Sequence, residues 1–302
     1  MLCPKKVLDL IPMLCDAEKM RNVRYVVGGY LVLAILLAAW GRAYAGEQES
    51  VIPDPCSDSA SFLAVIDRPT VSDSVCTVPQ GRVVLELGFQ HADLRGEGGG
   101  NANNYPQAVF RTGLPFRSEL VILAPNYTHQ ETRGSDSQSE AVSGYSAVTI
   151  GIKHSVGYTG FTSGAVEVLF TLPTGGSAFG SHELGVAFNG IAAYSLTEQT
   201  GLSLQLGVSS QTDPESSGGG RFTSFISNLV ATWQPTDRLQ FYGEIFGQTS
   251  TGHGQGSGYN ADAGVQYLLT PSWEVDLAGG LRLTGDLGGY THYFGAGTGF
   301  RF

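Results

Sequence analysis

Apolar and polar side chains alternate along most of the chain after Arg82. In RVVLELGFQ (82–90), Val83, Leu85, Leu87 and Phe89 share one side of an extended backbone, and the residues between them share the other. GLSLQLGVS (201–209) and SWEVDLAGGLRL (272–283) repeat this arrangement. A period of two predicts β-strands whose two faces meet different surroundings.

The alternation predicts twelve strands, and helical periodicity is absent after residue 45. The strands lie near 82–92, 106–113, 118–127, 144–156, 162–172, 182–196, 201–210, 221–234, 238–248, 259–269, 273–284 and 290–302. The connections are short at 114–117, 197–200, 235–237 and 270–272, and long at 93–105, 128–143, 173–181, 211–220 and 249–258. Short turns at one end and long loops at the other are typical of outer-membrane barrels.

Aromatic placement favours a barrel over a soluble β-sandwich. With the short turns at the bottom, one girdle falls low on the apolar face: Tyr194, Trp233, Phe241, Tyr267, Trp273, Phe300 and Phe302. A second falls near the top: Phe89, Phe170, Phe188, Phe225 and Phe294. Two such girdles mark the two membrane interfaces. We therefore predict an all-β, antiparallel transmembrane barrel of about 12 strands (82–302), whose last strand pairs with its first.

The N-terminus has the pattern of a signal peptide. Arg21 and Arg24 precede the apolar run 25–40, and 43–45 reads Ala-Tyr-Ala, a cleavage pattern. A transmembrane anchor is the alternative, but it needs about 20 apolar residues. We predict a signal peptide at 1–45, whose true start is Met20, and export to the outer membrane of a Gram-negative cell.

Charge and cysteine content exclude several classes of function. Without residues 1–45, which hold six Lys/Arg and three Asp/Glu, the chain keeps 11 basic and 24 acidic residues, a net charge of −13. Nucleic acid is therefore a poor partner. Cys56 and Cys76 are a candidate disulfide in an oxidising compartment. Neither a metal site nor a cofactor is predicted, since two cysteines fall short of four ligands.

The face opposite the apolar one carries charge and is predicted to line the lumen. The candidate pore-lining residues are Glu86, Arg111, Lys153, Glu167, Glu183, Glu244, Asp262, Glu274, Asp276, Arg282 and Arg301. One interpretation is a network of paired charges that braces the interior. The other is a pore lining that favours cations and neutral solutes. The two interpretations are compatible.

The segment 46–81 precedes the barrel and has no strand periodicity. A disordered periplasmic tail is one interpretation. We favour an inward tuck that narrows the mouth of the lumen, because SFLAVI (61–66) is apolar and a Cys56–Cys76 bridge would constrain the segment.

Catalysis is not predicted. Lys153-His154-Ser155 places a His beside a Ser along the chain, and neighbouring residues on a strand point to opposite faces. His182-Glu183 has the same difficulty, and no G-x-S-x-G motif occurs. The alternatives to a channel are a structural or adhesive barrel, whose loops bind a surface partner, and a lipid-modifying enzyme.

Several stretches resemble the MetA-pathway phenol-degradation family. They are IDRPT (66–70), TVPQG (77–81) leading into the first strand, PTDRLQFYGEIFG (235–247) and the final 36 residues from Tyr267. The similarity spans roughly 65–302. It implies an outer-membrane barrel that acts as a transporter, with apolar and aromatic compounds among its solutes.

The chain ends THYFGAGTGFRF (291–302), which alternates down to Phe302. A C-terminal Phe resembles the signal that barrel-assembly machinery recognises, so this machinery is a predicted partner. The other predicted partners are outer-membrane lipids and small-molecule solutes, which would pass by passive diffusion.

Overall fold

The computed structural model describes residues 52, 54–57, 61–96, 99–133 and 139–302. The predicted signal peptide at 1–45 lies outside these residues, as does the beginning of the segment 46–81. No helix within the described ranges is long and apolar enough to cross a membrane. One short helix, α1 (Phe62–Val65), interrupts the segment that was predicted to lack helical periodicity.

The described chain forms one antiparallel sheet of fifteen strands. In chain order they are β1 (Val83–Leu94), β2 (Gly100–Tyr105), β3 (Val109–Leu114), β4 (Ser118–Leu123), β5 (Tyr127–Arg133), β6 (Ser139–Tyr145), β7 (Thr149–Thr159), β8 (Thr162–Thr171), β9 (Gly185–Ser195), β10 (Thr200–Thr212), β11 (Arg221–Thr236), β12 (Leu239–Gln248), β13 (Gly258–Thr270), β14 (Trp273–Thr284) and β15 (Tyr290–Arg301).

Twelve of these strands close into a barrel, as predicted: β1, β3, β4 and β7 to β15. The seam joins β1 to β15 from Val84↔Arg301 to Leu94↔Tyr290. Backbone bonds between Val83 and Phe302 extend it by one residue at 2.8 and 3.2 Å. Closure pairs the backbone polar groups of the strands with one another, which lipid cannot do.

The three additional strands correct the prediction of loops at 93–105 and 128–143. β1 pairs with β3 along Val83–Glu86, and with β2 along Gln90–Asp93. β2 pairs with β5, and β5 pairs with β6, so this part of the wall extends above the barrel. Strand structure is interrupted at 106–108, 124–126 and 146–148, where the chain passes between the three additional strands and the strands of the closed barrel. The alternation is lost in β2, β5 and β6 because side chains above the membrane need not be apolar on either face.

The outer wall carries the aromatic side chains. Tyr194, Trp233, Phe241, Tyr267 and Trp273 are exposed, as are Phe89, Phe170, Phe188, Phe225 and Phe294. Rings stack across neighbouring strands, with centroids 5.6 Å apart for Trp233–Phe241 and 5.8 Å apart for Trp273–Phe300. Side chains of alternate residues point into the barrel and are buried.

Residues 61–81 lie within the barrel and are called the plug segment. Its apolar side chains form a core with Val84, Ala165, Ile191 and Leu268 of the wall. Ser61 caps α1 by accepting a hydrogen bond from the Leu63 amide at 3.3 Å. A disulfide joins Cys56 to Cys76 and encloses α1 in a covalent loop. The described part of the segment is therefore folded rather than an extended tail.

Glycines on the luminal face give the plug segment its space. A Cβ added to Gly88 or Gly297 would lie 2.0 or 2.2 Å from the guanidinium of Arg68. A Cβ on Gly299 would lie 2.2 Å from the terminal carbon of Ile66. Glycine alternates with larger residues in β15 because the plug segment occupies the space that luminal side chains would fill.

Gly113 is packed even more tightly against the plug segment, because a Cβ there would lie 2.0 Å from the carbonyl oxygen of Pro79. This oxygen belongs to the backbone, so it cannot rotate away as a flexible side chain could. We expect Gly113→Ala to push the end of the plug segment off the wall, while the barrel still folds. Proteinase K should then cleave within 61–81, as mapped by mass spectrometry, and heat-modifiable mobility should persist. Gly243→Ala is the control, since nothing lies within 4 Å of its Cβ position. Equal protection of the two variants would contradict the expectation.

Candidate functional site

Arg111 is the centre of a buried ion-pair network between the wall and the plug segment. Its guanidinium lies 3.0 Å from Glu86 and 2.9 Å from Glu119, which are wall residues of β1 and β4. It also lies 3.1 Å from Asp67 of the plug segment. Lys153 of β7 adds contacts to Asp67 at 3.3 Å and to Glu119 at 3.1 Å. The Arg111 and Lys153 side chains are fully buried, so these carboxylates neutralise charges that water cannot reach.

Wall carboxylates also bind backbone amides of the plug segment. Glu86 accepts hydrogen bonds from the amides of Asp67 and Arg68, at 3.2 and 2.8 Å. Glu244, far around the barrel on β12, accepts from Val71 and Ser72 at 2.8 Å each. Wall side chains therefore satisfy backbone donors that no secondary structure pairs.

Arg68 ties the plug segment to a third part of the wall. Its guanidinium donates twice to the Asp276 carboxylate at 3.2 Å and once to the Gln107 side chain at 3.0 Å. The Arg68 carbonyl accepts from Gln266 at 2.6 Å. Together with Asp67, this residue connects the plug segment to β1, β3, β7, β13 and β14. These contacts hold residues 67–73 across the lumen.

The structure places most of the predicted pore-lining residues in the interior. Glu86, Arg111, Lys153, Glu167, Glu244, Asp262, Glu274 and Asp276 are buried on the luminal face. Arg282 donates to the Gly285 carbonyl at 2.8 Å near the top. Arg301 lies near the bottom, with its guanidinium carbon 5.3 Å from the centroid of the Phe62 ring.

Glu183 corrects the predicted list. β9 begins at Gly185, so Glu183 lies in the preceding loop and does not line the lumen. Its carboxylate is 2.7 Å from Arg221 at the start of β11, and both side chains are exposed. The hydrogen bond and charge of Arg221 hold the pKa of Glu183 below its ordinary value.

Sequence reasoning missed Glu119, Asp67 and Arg68. Glu119 is the one charged residue of SELVIL (118–123), a stretch that is largely apolar on both faces. Applying the alternation to it would have placed Glu119 on the luminal face with Val121. Asp67 and Arg68 follow α1, where no periodicity assigns a direction to their side chains.

A tyrosine cluster fills the upper part of the lumen along β12 to β15. Tyr242 and Tyr293 lie over Gly264 and Gly280, where added Cβ atoms would lie 2.6 and 2.3 Å from the rings. Tyr293 donates a hydrogen bond to Asp262. The rings therefore occupy the space that side chains at these glycine positions would fill.

Two cavities flank the plug segment. A cavity of about 350 Å³ lies on the upper side and is bounded by the strand interruptions at 106–108, 124–126 and 146–148. A second, of about 210 Å³, lies at the end of the barrel with the short turns, where the turn 197–200 forms part of its wall. Thr70 and Asp73 line both cavities. One layer of the plug segment therefore separates the two spaces.

The outer wall holds two hydrogen-bonded Ser–His pairs that the sequence does not reveal. Ser118 and His154 are 3.0 Å apart on β4 and β7, and Ser143 and His129 are 2.7 Å apart on β6 and β5. Each pair forms across strands, so chain proximity could not find it. Within the described residues, no cluster of three His, Cys, Asp or Glu side chains is arranged to hold a metal ion.

The closed twelve-stranded barrel has the architecture of outer-membrane channels. An outer-membrane channel from Pseudomonas putida F1, of the group COG4313, superposes with a TM-score of 0.57 at 14% identity, over 75% of this chain and 97% of that one. The KdgM porin gives a TM-score of 0.46 at 7% identity, over 72% and 99% of the two chains. The CymD monoaromatic hydrocarbon channel gives 0.37 at 9%, over 74% and 88%.

The chain belongs to the family described as "Putative MetA-pathway of phenol degradation", which it matches over residues 66–302. The resemblance seen in the sequence is thereby confirmed. The match begins at residue 66, so residues 66–81 of the plug segment belong to the matched region. No curated protein matches the sequence.

Arg111 is expected to dominate the stability of the network. Arg111→Met leaves Asp67, Glu86 and Glu119 without their shared cation, and breaking a buried pair costs about 3–5 kcal/mol. The free energy of unfolding in detergent micelles, followed by tryptophan fluorescence in urea, should fall by this order. Arg238→Ala, an exposed arginine at a turn, is the control and should change it by less than about 0.5 kcal/mol. A loss equal to that of the control would mean that the ion pairs contribute little.

Proposed function

We propose that this protein is an outer-membrane channel through which small solutes diffuse passively. The observation that carries the proposal is the pair of cavities on the two sides of Thr70 and Asp73. They mark the two halves of a route from the interrupted side of the wall to the end with the short turns, and one layer of the plug segment lies between these halves. Passage along this route needs no catalytic step, and the proposed transport is not enzymatic.

The lining of the upper cavity supports a preference for small solutes with an apolar part. Val109, Val121, Leu123 and Leu169 form one side of the cavity, and the other side presents charged groups that include Asp67 and Arg68. Such a lining suits apolar and aromatic compounds that carry a polar group. The luminal carboxylates outnumber the bases, which disfavours anionic solutes.

The plug segment should limit the flux. Arg68→Ala removes the ion pair with Asp276 and leaves the wall unchanged, and deletion of 46–78 removes the obstruction entirely. We expect single-channel conductance in planar bilayers to rise in the order wild type, Arg68→Ala, deletion, with at least a severalfold increase for the deletion. Arg95→Ala, which breaks an exposed ion pair at 3.9 Å, is the control. Conductance that is unchanged by the deletion would contradict a limiting plug, and silence of all variants would favour a structural barrel.

We further propose that residues 1–45 direct export, and that Phe302 is recognised by the barrel-assembly machinery. The Phe302 side chain is 65% exposed beside the seam, while its backbone pairs with Val83. Its ring is thus accessible to a partner in the closed barrel.

Phe302→Ala should lower the yield of folded barrel in the outer membrane more than it lowers conductance per molecule. The reason is that its ring contributes no luminal group. Heat-modifiable mobility of membrane fractions measures the yield. Phe116→Ala is a matched control, since Phe116 is 89% exposed in a turn away from the seam. A normal yield for Phe302→Ala would argue against the recognition.

A further inference from the structure

The upper extension of the wall carries a Ser–His–Glu relay on its outer face. The Ser143 hydroxyl lies 2.7 Å from His129 Nδ1, and the Glu131 carboxylate lies 3.2 Å from His129 Nε2. An ionised carboxylate only accepts hydrogen bonds, so Nε2 carries the proton and Nδ1 accepts from the serine. This order of groups activates a serine as a nucleophile and holds the imidazole in the required tautomer.

The pairing of β5 with β6 explains why these groups meet. His129 and Ser143 are register partners, and Glu131 lies two residues beyond His129 on the same face. Asn126 and Ser146 are hydrogen-bonded across the same pair of strands, so the even-numbered partners exchange backbone bonds. His129 and Ser143 therefore form a non-hydrogen-bonded pair, in which side chains approach most closely.

The same register leaves a donor for a developing oxyanion. β6 is the edge of the upper sheet, and no described strand pairs with its second edge. The Ser143 amide points towards that edge, since the neighbouring odd residue Tyr145 uses it to accept from Gly176. The amide of a nucleophilic serine is a usual donor to the oxyanion of acyl transfer.

The relay lies at a membrane interface. An outer aromatic row of Phe89, Tyr105, Tyr127 and Tyr145 runs directly below it, with centroids 5.4 to 6.2 Å apart. His129 is two residues above Tyr127, about 7 Å along the strand. Aromatic rows sit at the level of lipid headgroups, where the esters of acyl chains also lie. All three side chains are at least partly exposed there.

We propose that Ser143, His129 and Glu131 form an esterase site for acylated lipids at the outer interface of the membrane. Ser143 Oγ attacks the ester carbonyl, and its proton passes to His129 Nδ1 and then to the departing alcohol as the acyl C–O bond breaks. Water next attacks the acyl-serine, gives its proton to His129, and releases the fatty acid, after which Ser143 regains its proton. Glu131 is a positioning residue that acts through His129. The site is outside the lumen, so it does not depend on the proposed channel.

The test measures fatty-acid release by the purified full chain in two kinds of vesicle, one of phosphatidylethanolamine with phosphatidylglycerol and one containing lipid A. These two arms distinguish the source of the acyl ester. We expect release in at least one arm that is lost in Ser143→Ala and falls about 100-fold or more in His129→Gln. Glu131→Gln should lower kcat about tenfold or more while KM stays unchanged, which a loss of folding would not produce.

Ser118→Ala is the matched control, because it removes the other Ser–His pair of the outer wall and should retain full activity. Heat-modifiable mobility confirms that each variant is folded. Absence of release in both arms would overturn the proposal. Release that persists in folded Ser143→Ala would overturn it equally.

Discussion

The interior depends on the neutralisation of one guanidinium. The Arg111 side chain is fully buried, and its positive charge is offset by negative charge from Glu86 and Glu119 of the wall and from Asp67 of the plug segment. Asp67 supplies part of that charge and also meets Lys153. Since Asp67 belongs to the plug segment, that segment is a component of the interior rather than an attachment to it. The anchoring of Arg68, α1 and the disulfide follows from this position.

The barrel was predictable because lipid imposes a strict rule on side chains. Every second residue of a spanning strand must be apolar, and this rule revealed all twelve strands of the closed barrel, including β15 as the closing strand. The rule ends where the lipid ends. GNANNY (β2) and SEAVSGY (β6) are strands that lie beyond the hydrocarbon, so their residues need not alternate and their sequences resemble loops.

The wall residues of the luminal site could be predicted from the sequence, but their contacts with the plug segment could not. The alternation of side chains along a strand predicted that Glu86 and Arg111 point inside, and the structure places them there. The same alternation gave a wrong position for Glu183, because β9 begins only at Gly185. The partners of the charges are set by the path of the plug segment, which has no periodicity. The pairing of Ser143 with His129 requires the register of two strands that the polar pattern conceals.

The glycines of β15 separate two tasks that most barrel strands perform together. Its outward residues contact the membrane, while Gly297 and Gly299 contribute almost no surface of their own to the interior. The inner surface of the seam is instead formed by Ile66 and Arg68 of the plug segment, which lie about 230 positions earlier in the chain. Substitutions in this short stretch can therefore retune the interior while the membrane-facing scaffold stays constant.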